Sequence, residues 1–330
     1  MLLVIVTSFS GYINGQDVHV AGYEFNPSGI RVAKIWKNGK AQNLTDGSAN
    51  ATANCVFVLG NDVYVAGCEN NAKDISVAKF WKNGVAQNLT NGNYKANATS
   101  IFVFGSDVYV SGWESISEDG VSIAKLWKNG VEQNLTNGTY SASAHSVFVS
   151  NNDVYVAGCE FNEKDYSVAK LWKNGVKQQI TSEKYESKAS SVYVLNEDVY
   201  VAGYESNVYK IDVAKIWRNG LEQKFTNGIY FANITSIHVV GNDVYVAGYE
   251  RNADYIVDAK MWKNFVPQLL SKGKSLAQAK SVYVFDKAIY VAGYEVNSKY
   301  IYVAKLWKNG KVQNLTDGSA SAVANCVFVK

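Results

Sequence analysis

One phrase is written seven times in this chain. "DVYVAGYE" stands unaltered at residues 198–205 and 243–250, as "DVYVAGCE" at 62–69, and in near copies beginning at 17, 107, 153 and 288. A second phrase, "AKLWKNG", travels with it and places a tryptophan at Trp36, Trp81, Trp127, Trp172, Trp217, Trp262 and Trp307. Successive tryptophans are 45 residues apart, with one step of 46. A fixed period of this length means one supersecondary unit copied along the chain, each copy burying its apolar face against the next.

Every unit carries four short apolar runs, A ("SVFV"), B ("DVYVAGYE"), C ("VAKLW") and D ("QNLT"), rich in Val, Ile, Tyr, Phe and Trp. Their length and composition are those of strands, and no stretch sustains a helical period. Between them "GND" and "KNG" are compact turn signals, because Asn and Gly tolerate positive φ. Four strands in a unit of this size predict an all-β protein built as a seven-bladed β-propeller of four-stranded antiparallel blades. Length alone would suggest two domains, but the repeats run end to end without a linker, so residues 17–330 read as one. The 47% hydrophobic content is enough for a large core.

The units resemble those of seven-bladed β-propellers, and most of all those of bacterial repeat proteins carrying "VYVAGYE…WKNG…NLT" units. The Gly-His…Trp-Asp pairing of WD40 repeats is missing, since Lys or Arg follows each repeated tryptophan, and so is the Gly-Gly of kelch repeats. The resemblance implies the fold and is silent on activity, so it brings no site residue with it.

There are seven B, C and D strands but eight candidate A strands. "CVFV" at 326–329 matches 55–58 letter for letter, while "SGYI" at 10–13 sits at the right distance before Asp17. A ring has room for one of them. The expectation is that 326–329 forms the innermost strand of the first blade. Residues 1–16 are then a leader remnant or an edge strand, apolar like a secretory signal but without its positive start. The expected location is secreted or cell-envelope, with the cytoplasm as the alternative.

Some residues recur in every unit. Glu24, Glu69, Glu114, Glu160, Glu205, Glu250 and Glu295 follow the B-strand glycine, and Lys34, Lys79, Lys125, Lys170, Lys215, Lys260 and Lys305 precede the tryptophans. One active site needs one special constellation, whereas a group present in every blade serves every blade. These residues are therefore read as structural ion pairs, and the tryptophans as filling between blades.

Little else points to chemistry. His19, His145 and His238 have no partners at metal-ligand spacing, and no phosphate loop or nucleophile elbow is present. Cys55 and Cys326 hold equivalent A-strand positions, and Cys68 and Cys159 replace the Tyr of "AGYE"; all four read as small buried residues. No catalytic residue, metal or cofactor is expected. The net charge is +3, and the Lys and Asp of the turns share one face, which argues against nucleic acid. No apolar run reaches transmembrane length.

The B–C and D–A loops diverge between units, and variable loops on a rigid scaffold are where recognition commonly lives. Four consecutive D–A loops carry Tyr94, Tyr140, Tyr185 and Tyr230, with Asn162, Tyr166, Asn207 and Tyr209 nearby. These eight are the candidate ligand residues, with at least two of the four tyrosine rings expected to be solvent-exposed and to face the channel mouth. The function expected is that of a monomeric, non-enzymatic recognition or scaffold module with a protein or glycan partner. A lectin-like multivalent sugar binder is one alternative, and an enzyme (hydrolase or lyase) with its site at the central channel mouth is another.

Overall fold

The computed structural model describes residues 16–117, 120–271 and 273–330. The expectations for residues 1–14, including the 10–13 strand, lie outside the described residues. The described chain forms twenty-eight strands, β1 to β28 in chain order, in seven four-stranded antiparallel sheets. Innermost strands touch their counterparts in both neighbouring sheets, so the blades close into a ring. This is a seven-bladed β-propeller.

The second blade shows the pattern, with β4 (Ala51–Leu59) innermost, then β5 (Asp62–Asn70), β6 (Ser76–Lys82) and β7 (Val85–Asn88) outermost. The turn into β7 places Asn83 at φ 52° and Gly84 at φ 82°, the left-handed pair that a tight hairpin requires. Asn83 Oδ1 accepts from the Val63 N–H at 2.9 Å, and its Nδ2 donates to Asp62 at 2.8 Å. Lys82 closes the same group with an ion pair to Asp62 at 2.8 Å. The repeated "WKNG" and the Asp of "DVYV" are thus parts of one network joining two turns. Five other blades have the equivalent ion pair, such as Lys37–Asp17 at 2.8 Å. These pairs are exposed to solvent, which screens them, so they order the turns more than they stabilise the fold.

In the first blade, β1 (Val18–Phe25), β2 (Arg31–Lys37) and β3 (Lys40–Asn43) are completed from the far end of the chain by β28 (Ala322–Val329). Val18 pairs with Val329 and Val20 with Val327. Asp17 and Lys330 exchange both backbone hydrogen bonds, at 3.0 and 3.1 Å.

The core lies between blades. Trp81 of the second blade packs with Ala21, Ala33 and Ile35 of the first, and the other clusters repeat the arrangement. All seven repeated tryptophans are 0–2% exposed. Because the apolar surface of each blade is covered by its neighbour, no blade has a core of its own. The outermost strands are four residues long and almost wholly exposed, short enough to offer little edge for pairing.

The repeated Glu and Lys meet within single blades: Lys34–Glu24 at 2.5 Å, Lys79–Glu69 at 2.6 Å, Lys125–Glu114 and Lys260–Glu250 at 2.5 Å, Lys305–Glu295 at 3.4 Å, and Lys215–Glu205. The fourth blade differs. There Lys170 reaches Glu183, and Glu160 faces Lys177 at 3.5 Å.

Candidate functional site

Each innermost strand carries one extra residue. In the second blade Ala53 pairs with Gly67 and Cys55 with Ala66, which leaves Asn54 without a partner in the ladder. Such a bulge bends the strand and re-aims a side chain. It also explains the glycine that every B strand holds. A Cβ built on Gly67 would lie 1.9 Å from the Thr52 carbonyl oxygen, and the other six meet the same obstacle at 1.9–2.1 Å.

The bulged residues are Asn54, Thr99, His145, Ser190, Thr235, Lys280 and Asn325. All seven line one cavity of about 320 Å³ around the axis, joined by Asn97, Lys188, Asn233 and Tyr249. Several also tie adjacent blades together. Asn54 donates to the Ala98 carbonyl at 2.8 Å, Thr99 to Ala144 at 2.7 Å, Thr235 to Ala279 at 2.8 Å and Asn325 to Ala53 at 3.0 Å. His145 Nδ1 lies 2.8 Å from the Ala189 carbonyl. A carbonyl only accepts, so Nδ1 carries the proton and Nε2 keeps its lone pair.

The mouth is cationic. Lys188 and Lys280 line it, and among the described residues no carboxylate does. Burial, and then the charge of Lys188, push the Lys280 amine below the ordinary lysine range. Burial likewise drives His145 down to about 3, with Lys188 adding to the effect, so its ring is neutral at physiological pH. Asn233 donates to the Tyr249 hydroxyl at 3.3 Å, while its buried Oδ1 accepts no hydrogen bond among the described residues.

Deeper along the axis Phe57, Phe102, Phe148, Tyr193, His238, Tyr283 and Phe328 form a closed circle of rings. Consecutive centroids are 4.6–4.9 Å apart. The site is therefore a polar mouth above an aromatic collar. Among the described residues, no group of three or more His, Cys, Asp or Glu is placed to hold a metal ion.

The loop residues singled out in the sequence lie elsewhere. Tyr94 and Tyr140 are 40% exposed, Tyr185 and Tyr230 are half-buried, and none of them lines the channel mouth. Tyr140 and Asn162 come together in a separate cavity of about 340 Å³. Asn162 and Asn207 have turn-making work. Asn162 Oδ1 accepts from the Lys164 and Tyr166 N–H groups, and Asn207 Oδ1 from those of Tyr209 and Ile211. Tyr166 is half-buried and Tyr209 is 80% exposed. The expected tyrosine arc at the channel mouth is thus corrected, because D–A loop side chains do not reach an axis occupied by the bulged innermost strands. A usable signal was present. The bulge position is polar in all seven A strands and varies from blade to blade, beside neighbours that barely change.

No protein-family model matches the chain, and no curated protein matches it. Solved structures do. An acylaminoacyl peptidase of Pyrococcus horikoshii shares 14% identity at a TM-score of 0.54, over 91% of this chain and 51% of that one. The β-propeller domain of the trilobed protease of Pyrococcus furiosus shares 12% at 0.53, over 92% and 95%. A puromycin-hydrolysing peptidase of Mycobacterium tuberculosis shares 10% at 0.59, over 89% and 53%. The chain spans about half the length of the two whole peptidases. At these identities the likeness shows the fold alone. The Pyrococcus furiosus domain is described as having an open velcro topology, whereas here β28 completes the first blade. These neighbours, all described as peptidases or a protease, overturn the expectation of a non-enzymatic recognition or scaffold module.

Proposed function

We propose that the chain is a hydrolase-type propeller and that the channel mouth holds its substrate, a short peptide presenting an anionic group. The observation that carries this reading is the charge of Lys188 and Lys280, unopposed among the described residues, beside polar side chains that the bulges aim at the axis. Two ammonium groups without a carboxylate attract a carboxylate, or the negative charge that develops on a carbonyl under attack. Asn233 Oδ1, buried and unpaired, offers an acceptor to a peptide N–H, and an unmet acceptor favours the ligand that meets it. Lys280 releases its proton more readily than an exposed lysine, which suits a group that exchanges protons with a substrate. The peptidases among the fold neighbours support the choice of peptides over other anions.

The test is turnover. Incubated with a panel of short peptides, the full chain should generate new amino termini detectable by mass spectrometry, and Lys280→Met should slow this at least about tenfold. Failure to cleave any peptide in the panel, or cleavage unaltered by Lys280→Met, would sink the reading.

A further inference from the structure

We propose that Cys55 and Cys326 are a reversible redox pair that clips the C-terminal strand to the second blade. Cys55 lies on β4 and Cys326 on β28, the innermost strands of adjacent blades, and their sulfurs are 3.4 Å apart. A disulfide needs about 2.05 Å, so closure takes a shift of little more than an ångström. Neither Cys68, whose sulfur lies 3.4 Å from the Thr52 hydroxyl, nor Cys159 has another cysteine as a hydrogen-bond partner among the described residues.

The position itself makes the pair unusual. The other five blades hold serine there, and each hydroxyl accepts from the backbone N–H of the next blade, as Ser281 does from Val327 at 3.1 Å. Cysteine replaces serine at two consecutive blades, and one of the two, Cys326, stands on the chain's last strand, facing Cys55 of the neighbouring blade. Both sulfurs are half-buried and line an axial cavity of about 320 Å³, room enough for a small oxidant such as a peroxide.

The chemistry balances with hydrogen peroxide as the oxidant. The two thiols share one hydrogen bond, so the S–H of one sulfur stabilises the thiolate of the other, here with Cys55 as the attacking thiolate. Its sulfur bonds to one peroxide oxygen as the O–O bond breaks, and hydroxide leaves and takes a proton to become water. The Cys326 sulfur then attacks the sulfenic sulfur. The S–S bond forms, the S–O bond breaks, and the oxygen leaves as a second water carrying the Cys326 proton. Two thiols are oxidised by two electrons in all, and the peroxide is reduced to two waters. The product ties residue 55 to residue 326 and holds β28 covalently, where otherwise pairing with β1, packing and non-covalent bonds such as Asn325 to Ala53 hold it.

The experiment oxidises the full chain with hydrogen peroxide, alkylates remaining thiols, and maps linked peptides by mass spectrometry. Melting is followed before and after reduction with dithiothreitol. The expected result is a single Cys55–Cys326 link and a melting midpoint several degrees higher in the oxidised form. Cys326→Ser and Cys55→Ser should show neither, and both should fold, because serine is what five blades already hold. A link through Cys68 or Cys159, oxidation that stops at sulfinic acid on Cys55, or an unshifted midpoint in the linked protein would overturn the proposal.

Discussion

Asn54 reaches across from the second blade to the third and donates to the Ala98 carbonyl at 2.8 Å. Asn325 makes the same bond across the seam, from the strand that ends the chain to Ala53, at 3.0 Å. One bulge therefore does two things at once. It turns a side chain toward the axis, and it lets that side chain tie its blade to the next. The polar mouth is a by-product of how the ring is stitched, and function has its room where stitching does not use the side chain, as at Lys280.

Gly67→Ala tests the bulge. The added carbon would stand 1.9 Å from a backbone oxygen, and backbone cannot step aside as a flexible side chain can. Denaturant melting should show a loss of about 2–4 kcal/mol. Gly60→Ala, in an open turn at φ 56° where a Cβ would meet nothing, should cost only about 1 kcal/mol, for its conformation alone.

Glu205→Ala tests the repeated ion pairs. The Glu205 and Lys215 side chains are 8% and 9% exposed, and Glu222 at 2.8 Å is Lys215's other carboxylate partner. Stability should fall by about 1–4 kcal/mol, because a buried ammonium loses its better-buried partner. Asp62→Ala, on the exposed turn network, should lose clearly less than Glu205→Ala in the same titration, because solvent screens that pair.

His238 sets a pH dependence. It occupies a place in the collar that phenylalanine holds in four blades, between Tyr193 and Tyr283, and burial pushes it from 6.5 down to about 4. The unfolded chain protonates His238 below pH 6.5, while the fold keeps it neutral. Its contribution is therefore complete above pH 6.5 and is lost as the pH falls to about 4, by about 3 kcal/mol. His238→Phe should flatten the stability profile in that window, as measured by denaturant titration at several pH values. An unchanged slope would mean that the ring is hydrated in the fold.

The architecture was legible because its causes are local and repeated seven times. "KNG" spells a left-handed turn, and the spacing of the tryptophans counts the blades. The mouth was harder to read. Asn54, His145 and Lys280 look like ordinary strand positions until the register shift beside the B-strand glycine turns them inward, and that shift appears only when two strands are paired. The nearness of Cys55 and Cys326 was hidden for a related reason. Equivalent positions in adjacent blades are neighbours on the axis, but the blades holding these two adjoin only once β28 has joined the first blade. Asn162 and Asn207 hold their own turns through their side chains, a role that an asparagine in a variable loop does not announce in the sequence.

Removing β28 tests the seam. Without residues 322–330, the first blade loses its innermost strand, and Val20 and Trp36 lose the cover of Ala324, Val327 and Val329. Exposed apolar surface and an unpaired β1 edge should produce aggregation, seen by light scattering at temperatures where the full chain is stable. A truncated chain that stays monomeric and melts unchanged would show that the ring does not depend on this strand.

The central claim is that the unopposed lysines of the channel mouth hold an anionic group of a peptide. Calorimetric titration of the full chain with short peptides, each as the free C-terminal carboxylate and as the amide, tests this most directly. The account predicts that the carboxylates bind at least about tenfold more tightly, a difference of about 1.4 kcal/mol, and that Lys188→Met with Lys280→Met abolishes the preference. Equal affinity for carboxylate and amide, or a preference that survives the loss of both lysines, would contradict it.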